Sequence, residues 1–306
     1  MSLSKHSVRM TAVGALAVLA AVVPGGSASA TTLAGDWAPF TRCPVDDPSV
    51  LAADGTNSVA LCLASHSSSG SIKLGNTSAP TGASDLQFGL LSSTSVSLVA
   101  SSGTGVVADP AEVPGGLLGL MCPSKLPLVS AVCQQATNNG LNNVTATVQS
   151  AGSPSDFNLG AGLSSGVPIL TLPVKIHLQN PLLGSGCFIG SNSSPILLKP
   201  ANLTTPAAAF ERFDGDGTPD PDGVLLRITL TGASQGDSAF AVPGATGCGT
   251  LGLLNSAINL KTGLPSAAGN NNLVLNNAST FLGGLNTPGA DDGRQLSSLW
   301  HAAVTS

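Results

Sequence analysis

The sequence has no tyrosine and only two tryptophans, Trp37 and Trp300, beside eight phenylalanines, so aromatic residues make up 3 % of its 306 positions. Sugar-binding surfaces stack flat exposed rings on pyranose faces, and that platform is thin here. Charge is sparse as well, with Asp, Glu, Lys and Arg together at 9 %. No basic patch stands out, which argues against nucleic acid as a partner and against electrostatic docking on anionic membranes. There is no C-x-x-C pair and no histidine at zinc-ligand spacing, and phosphate-loop, nicotinamide-fingerprint and zinc-protease motifs are missing. Low charge does not mean disorder, because disorder requires low hydrophobicity, whereas the mean hydropathy here is +0.32 and Leu and Val recur in patterned runs.

What is present begins with an address. Lys5 and Arg9 precede an uncharged apolar stretch from Met10 to Val23, followed by Pro24-Gly25-Gly26 and then Ala28-Ser29-Ala30. This is the three-part layout of a secretory signal peptide, and its apolar core is too short to span a bilayer as a helix. The expected organisation is a signal peptide over residues 1–30 and a single mature domain over residues 31–306. The signal peptide holds two of the eleven basic residues and none of the sixteen acids, which leaves nine basic residues against sixteen acids and a mature charge of −7. The mature chain is expected to carry no transmembrane anchor and to be secreted, either free in the extracellular space or associated with the cell wall.

Six cysteines follow the cleavage site: Cys43, Cys62, Cys122, Cys133, Cys187 and Cys248. An even number in an exported chain reads as three disulfides, although six thiols allow fifteen pairings. Proximity in sequence favours Cys43–Cys62, Cys122–Cys133 and Cys187–Cys248. Chain entropy values such bridges at roughly 3, 3 and 4 kcal/mol, so reduction is expected to unfold the protein.

Two runs alternate strictly. Leu170, Leu172, Val174, Ile176 and Leu178 face one way and Thr171, Pro173, Lys175, His177 and Gln179 the other, while Val224, Leu226, Ile228 and Leu230 oppose Leu225, Arg227, Thr229 and Thr231. A period of two predicts strands with one face on the core and one towards water. Pro173 lacks an amide donor, which predicts a sheet edge or a bulge there. Shorter alternations at Val59-Leu61-Leu63, Val96-Leu98-Ala100 and Val144-Ala146-Val148 are separated by Gly-, Asn- and Pro-rich turns. The expected fold is mainly β, an antiparallel sandwich or barrel-like sheet stapled by disulfides, with two short helices. One helix runs from Leu128 to Ala136 with Val129, Val132, Cys133 and Ala136 on one face. The other lies between Gly249 and Lys261, with a stripe of Leu251, Leu254, Ala257 and Ile258 that Gly263 and Pro265 end.

Reactive constellations are few. G-x-S-x-G occurs around Ser164 and Ser234, the pattern that exposes a hydrolase nucleophile on a strand-to-helix turn. Ser164 instead precedes a long strand, and Ser234 leads into Ala-Val-Pro-Gly with no helical pattern, so Gly/Ser turns are the simpler reading. His301 follows Ser234 and Asp237 or Asp291 in triad order. The segment FDGDGTPDPDG sets Asp214, Asp216, Asp220 and Asp222 within nine residues, a carboxylate density suited to a structural calcium ion, although EF-hand spacing is absent. An acidic turn is the alternative. His177 lies on a polar strand face and His66 in a Ser-rich loop, without a titratable neighbour in sequence.

Four stretches, IKLGNTSAPTGASDLQFGLL, VKIHLQNPLLGSGCFIGSNSSPILL, FDGDGTPDPDGVLLRITLTGASQGDSAFAVPGATGCG and GLPSAAGNNNLVLNNASTFLGG, resemble a group of uncharacterised secreted proteins of high-GC Gram-positive bacteria with no established activity. The resemblance implies export and disulfides and brings no catalytic residue with it. The function expected first is that of a non-enzymatic cell-envelope or extracellular structural or binding protein, with no catalytic residue and no cofactor. The alternatives are a carrier of a lipid or other apolar ligand and, third, a serine hydrolase resting on Ser234 or Ser164.

Overall fold

Alternating runs build two antiparallel sheets in the computed structural model, which describes residues 35–101, 105–123, 125 and 127–305. Residues 1–30, read above as the signal peptide, lie outside the described residues. The described residues fall within one compact unit. The larger sheet takes β1 (Val59–Ser67), β2 (Ser69–Leu74), β3 (Thr77–Thr81), β4 (Ser84–Ser92), β5 (Val96–Ala100) and β6 (Val106–Ala108). Later in the chain it adds β12 (Ala201–Asn202), β13 (Ala207–Phe213), β14 (Leu225–Asp237) and β16 (Asn272–Leu285). The smaller sheet takes β7 (Ala111–Glu112), β8 (Thr145–Ser150), β9 (Leu172–Gln179), β10 (Phe188–Ile189), β11 (Ile196–Leu198) and β15 (Ala245–Thr246). The order in the larger sheet is β12-β14-β16-β1-β4-β5, with β13 on β14, β2 on β16, β3 on β2 and β6 on β4. In the smaller sheet it is β15-β10-β9-β8-β7, with β11 on β9, and neither sheet closes into a barrel.

The two sheets share one aliphatic core. Val174, Ile176 and Leu178 of β9 meet Leu63 of β1, Ile72 of β2 and Leu273 of β16 there, each fully buried branched side chain contributing about 1.5–3 kcal/mol. β9 is an interior strand and not an edge: β8 lies on one side, with β10 and β11 on the other. Pro173 is accommodated because it stands just past the last β8 pair, Ser150 with Val174.

β14 departs from the one-face-to-water expectation. Its Leu225 and Arg227 lie under a second core, formed by Trp37, Phe40, Val50, Phe213, Leu285 and Leu296 on the opposite face of the larger sheet. Both faces of this sheet are therefore covered. Arg227 is 7 % exposed and survives burial because its charge is paired. It donates to Glu211 Oε2 at 2.7 Å and to the Asp36 backbone carbonyl, and lies 4.8 Å over the Phe213 ring. The guanidinium holds the Glu211 carboxyl below its ordinary range. Gly283 of β16 makes room for this aromatic layer, since a Cβ there would lie 2.9 Å from the Phe40 ring. Asn277, at φ 50°, interrupts the alternation of β16, so that the inward side passes from Leu273 and Leu275 to Ala278 and Leu282.

Beyond the two expected helices the chain forms α1 (Pro48–Leu51), α2 (Gly116–Met121), α4 (Leu159–Gly162) and α6 (Asp292–Thr305), besides α3 (Pro127–Asn138) and α5 (Asn255–Thr262). In α6, Leu296, Trp300 and Ala303 recur at helical spacing and close the second core. The stripe expected between Gly249 and Lys261 is shorter: Leu254, Ala257 and Ile258 are buried, but Leu251 is 96 % exposed in a tight turn at φ 55°. His66 belongs to β1 and not to a loop, paired across to Asp85 and Ser279. Among the described residues no helix is long and apolar enough to cross a membrane.

Disulfides join Cys43 to Cys62, Cys122 to Cys133 and Cys187 to Cys248, with Cα atoms 5.8, 6.2 and 4.2 Å apart. The first ties the segment before α1 to β1, the second α2 to α3, and the third β10 to the turn before α5. Beside the third, a Cβ on Gly247 would meet the Gly186 carbonyl at 2.1 Å, so only glycine permits that approach.

Candidate functional site

Inward-facing alanines leave the shared core incompletely filled. Ala79 of β3, Ala108 of β6, Ala111 of β7 and Ala146 of β8 stand around a cavity of about 140 Å³ between the sheets. Ala111 and Ala146 are direct cross-strand partners, so two small side chains coincide at one point of the wall. Val174, Ile176 and Leu178 form one side of the cavity, with Ile72, Leu74 and Leu273 opposite. The walls are carbon almost throughout. One polar atom on this wall, the Thr81 hydroxyl, is buried without a hydrogen-bond partner among the described residues. Ala79, Ala108, Ala111, Ala146 and Val148 are only half-buried, which places the opening where β3 and β6 approach β7 and β8. An apolar cavity of about 150 Å³ stays dry and takes up benzene.

A second cavity of about 120 Å³ lies on the same face of the larger sheet, beside α4. Ile228 and Leu230 of β14, Leu282 of β16, Phe157 and Ile169 supply its apolar wall. Ser65 and Thr280, whose hydroxyls are 2.9 Å apart, and the amides of Asn202 and Gln235 supply a polar strip.

The residues singled out for chemistry do not converge. Ser164 Oγ is 3.4 Å from the Ala161 carbonyl in the turn that ends α4. Ser234 lies in the bulged part of β14, where its carbonyl accepts from Leu203 N at 2.8 Å. Asp237 accepts from two backbone amides, Lys199 N at 2.6 Å and Ala239 N at 2.8 Å. His301 pairs instead with Asp46, at 2.9 and 3.0 Å, and Ser297 Oγ donates to the same carboxylate at 2.8 Å. Burial opposes ionisation of Asp46, but hydrogen bonds with His301 and Ser297 hold its carboxyl below the ordinary range. Here the carboxylate stands between hydroxyl and imidazole. Activating a serine requires the imidazole in the middle, so this cluster fastens α6 to the segment before α1 and supplies no nucleophile.

The acidic segment is the turn between β13 and β14. Asp216 Oδ1 accepts from the backbone and hydroxyl of Thr218 at 2.9 and 2.8 Å, and Asp220 Oδ1 accepts from Asp222 N at 2.7 Å. These carboxylates cap their own loop as Asx turns. Among the described residues no three His, Cys, Asp or Glu side chains gather to hold a metal, at Asp214, Asp216, Asp220 and Asp222 or elsewhere.

The apolar content of the sequence permits a cavity without showing one, because alanine in an alternating run marks an inward position without saying that its neighbours leave space. Val144-Ala146-Val148 carried the signal, and Asn202 and Gln235 carried none. No family model, curated protein or solved structure matches the chain.

Proposed function

We propose that this is a non-catalytic exported binding protein that holds a small apolar ligand between its two sheets. The observation that carries the reading is the carbon-walled cavity of about 140 Å³ with its opening beside β8. A filled core of this composition would be more stable, so a void that is kept open to the surface suits an occupant. The signal-peptide pattern and the three disulfides support export. The dispersal of Ser164, Ser234 and His301 offers the hydrolase alternative no support.

Toluene titrated into the full oxidised chain, followed by methyl NMR, tests the reading. Shifts at Val148 and Ile176 that saturate, and that weaken at least tenfold in Ala146→Leu, are the expected result. No saturable shift at these methyls, together with a bare mass for the native protein recovered from its own culture medium, would overturn it.

A further inference from the structure

The second cavity differs from the first in carrying polar atoms whose orientations are dictated by their neighbours. Asn202 Nδ2 donates to two backbone carbonyls, Gly162 O at 2.8 Å and Ser164 O at 3.0 Å. Its Oδ1 is therefore the atom turned towards Gln235, and Gln235 must present its Nε2 to it, at 3.2 Å. That leaves Gln235 Oε1 as an acceptor with no donor among the described residues, on a side chain that lines the cavity and is 9 % exposed. A hydroxyl brought in by a ligand therefore finds a free acceptor here, and the exchange for water is worth one neutral hydrogen bond. The rest of the lining is apolar, apart from the Ser65–Thr280 hydroxyl pair. Leu159, Leu163 and Phe210 also line the cavity while remaining exposed, Phe210 by 67 %, so an apolar entrance leads to the polar strip.

We infer that this cavity is a separate binding site for a small amphiphile, a single ring or short alkyl chain whose hydroxyl donates to Gln235. The site stands on its own residues and does not depend on occupancy of the cavity between the sheets. Wild-type full-length oxidised chain is titrated with phenol, toluene and anisole, three probes of one ring that differ in the donor. Methyl NMR at Leu163, Ile169 and Ile228 reads this site, and Val148 and Ile176 read the other. Phenol binds here about three- to tenfold more tightly than toluene or anisole, the span of one neutral hydrogen bond. At Val148 and Ile176 that order does not hold. Gln235→Met removes the phenol preference, and Ala233→Leu, which fills the cavity, removes all three responses at Leu163, Ile169 and Ile228 only. Equal affinity of the three probes for the wild-type site overturns the inference without any variant needing to fold. So does a phenol preference that survives Gln235→Met, while loss of toluene response at Val148 and Ile176 alone bears only on the inter-sheet reading.

Discussion

The two faces of the larger sheet are built from different residues and to different densities. On one face both tryptophans lie with Phe40, Phe213 and Phe281, Trp37 having its ring 5.2 Å from Phe40 and 5.6 Å from Phe213, and Arg227 seals the layer. On the other, Leu, Val, Ile and Ala predominate and two cavities remain. Rings fill space at little cost in side-chain entropy, and a chain short of them has here grouped half of its ten on the face that must be solid. Leaving about 140 Å³ empty forgoes about 3 kcal/mol, as much as one short-loop disulfide contributes. The contrast separates a structural face from one with room for ligand.

Truncating the solid face should hurt most. Trp37→Ala is expected to lower unfolding free energy by about 3–5 kcal/mol in urea titrations, because the surrounding rings cannot collapse into the void. A loss below 1 kcal/mol would mean that this face is no better packed than the other. Next come two of the three disulfides, one taken from each side. Replacing Cys187 and Cys248 with alanine should cost about 4 kcal/mol and replacing Cys43 and Cys62 about 3, the longer loop losing more chain entropy. The reverse order would show that packing outweighs loop length.

Asp292 probes the solid face through pH. It is fully buried at the start of α6, where Oδ2 accepts from Ala60 N at 2.6 Å and Oδ1 has no partner among the described residues. Burial raises its pKa above the ordinary 3.8. The folded state therefore favours the protonated form, so this contribution is complete below pH 3.8 and is lost as pH rises through the raised value. Wild-type stability relative to Asp292→Asn should fall across that window, and a constant difference would contradict the assignment. The smallest stability effect belongs to the hollow face. Ala146→Leu should change unfolding free energy by less than about 1.5 kcal/mol in either direction, since the added methylenes enter existing space. A loss as large as that of Trp37→Ala would show that the cavity is not available to side chains.

Local pattern was a good guide wherever one neighbour decided the outcome. The alternation of Leu170 to Leu178 became β9, Val129 to Ala136 became the buried side of α3, and Gly263 at φ 70° ends α5. Elsewhere a distant segment decides the outcome. Arg227 looked solvent-facing, and only the arrival of Asp36, Glu211 and two aromatic rings makes its burial tolerable. Leu251 fitted a helical stripe, yet a left-handed turn ends that stripe before reaching it. The spacing of Leu296, Trp300 and Ala303 marks one face of a helix in the sequence itself.

By itself the sequence determined the β class, the antiparallel pairing and the strand-to-turn punctuation, because period-two alternation, glycines and prolines act over a few residues. Tertiary structure alone decided that the larger sheet is covered on both faces, that Asp237 and His301 serve different neighbours, and that alanines from four strands surround a common void. Each of those outcomes depends on side chains far apart in sequence meeting at a fixed distance, and volume left between them is a property of the assembled layers.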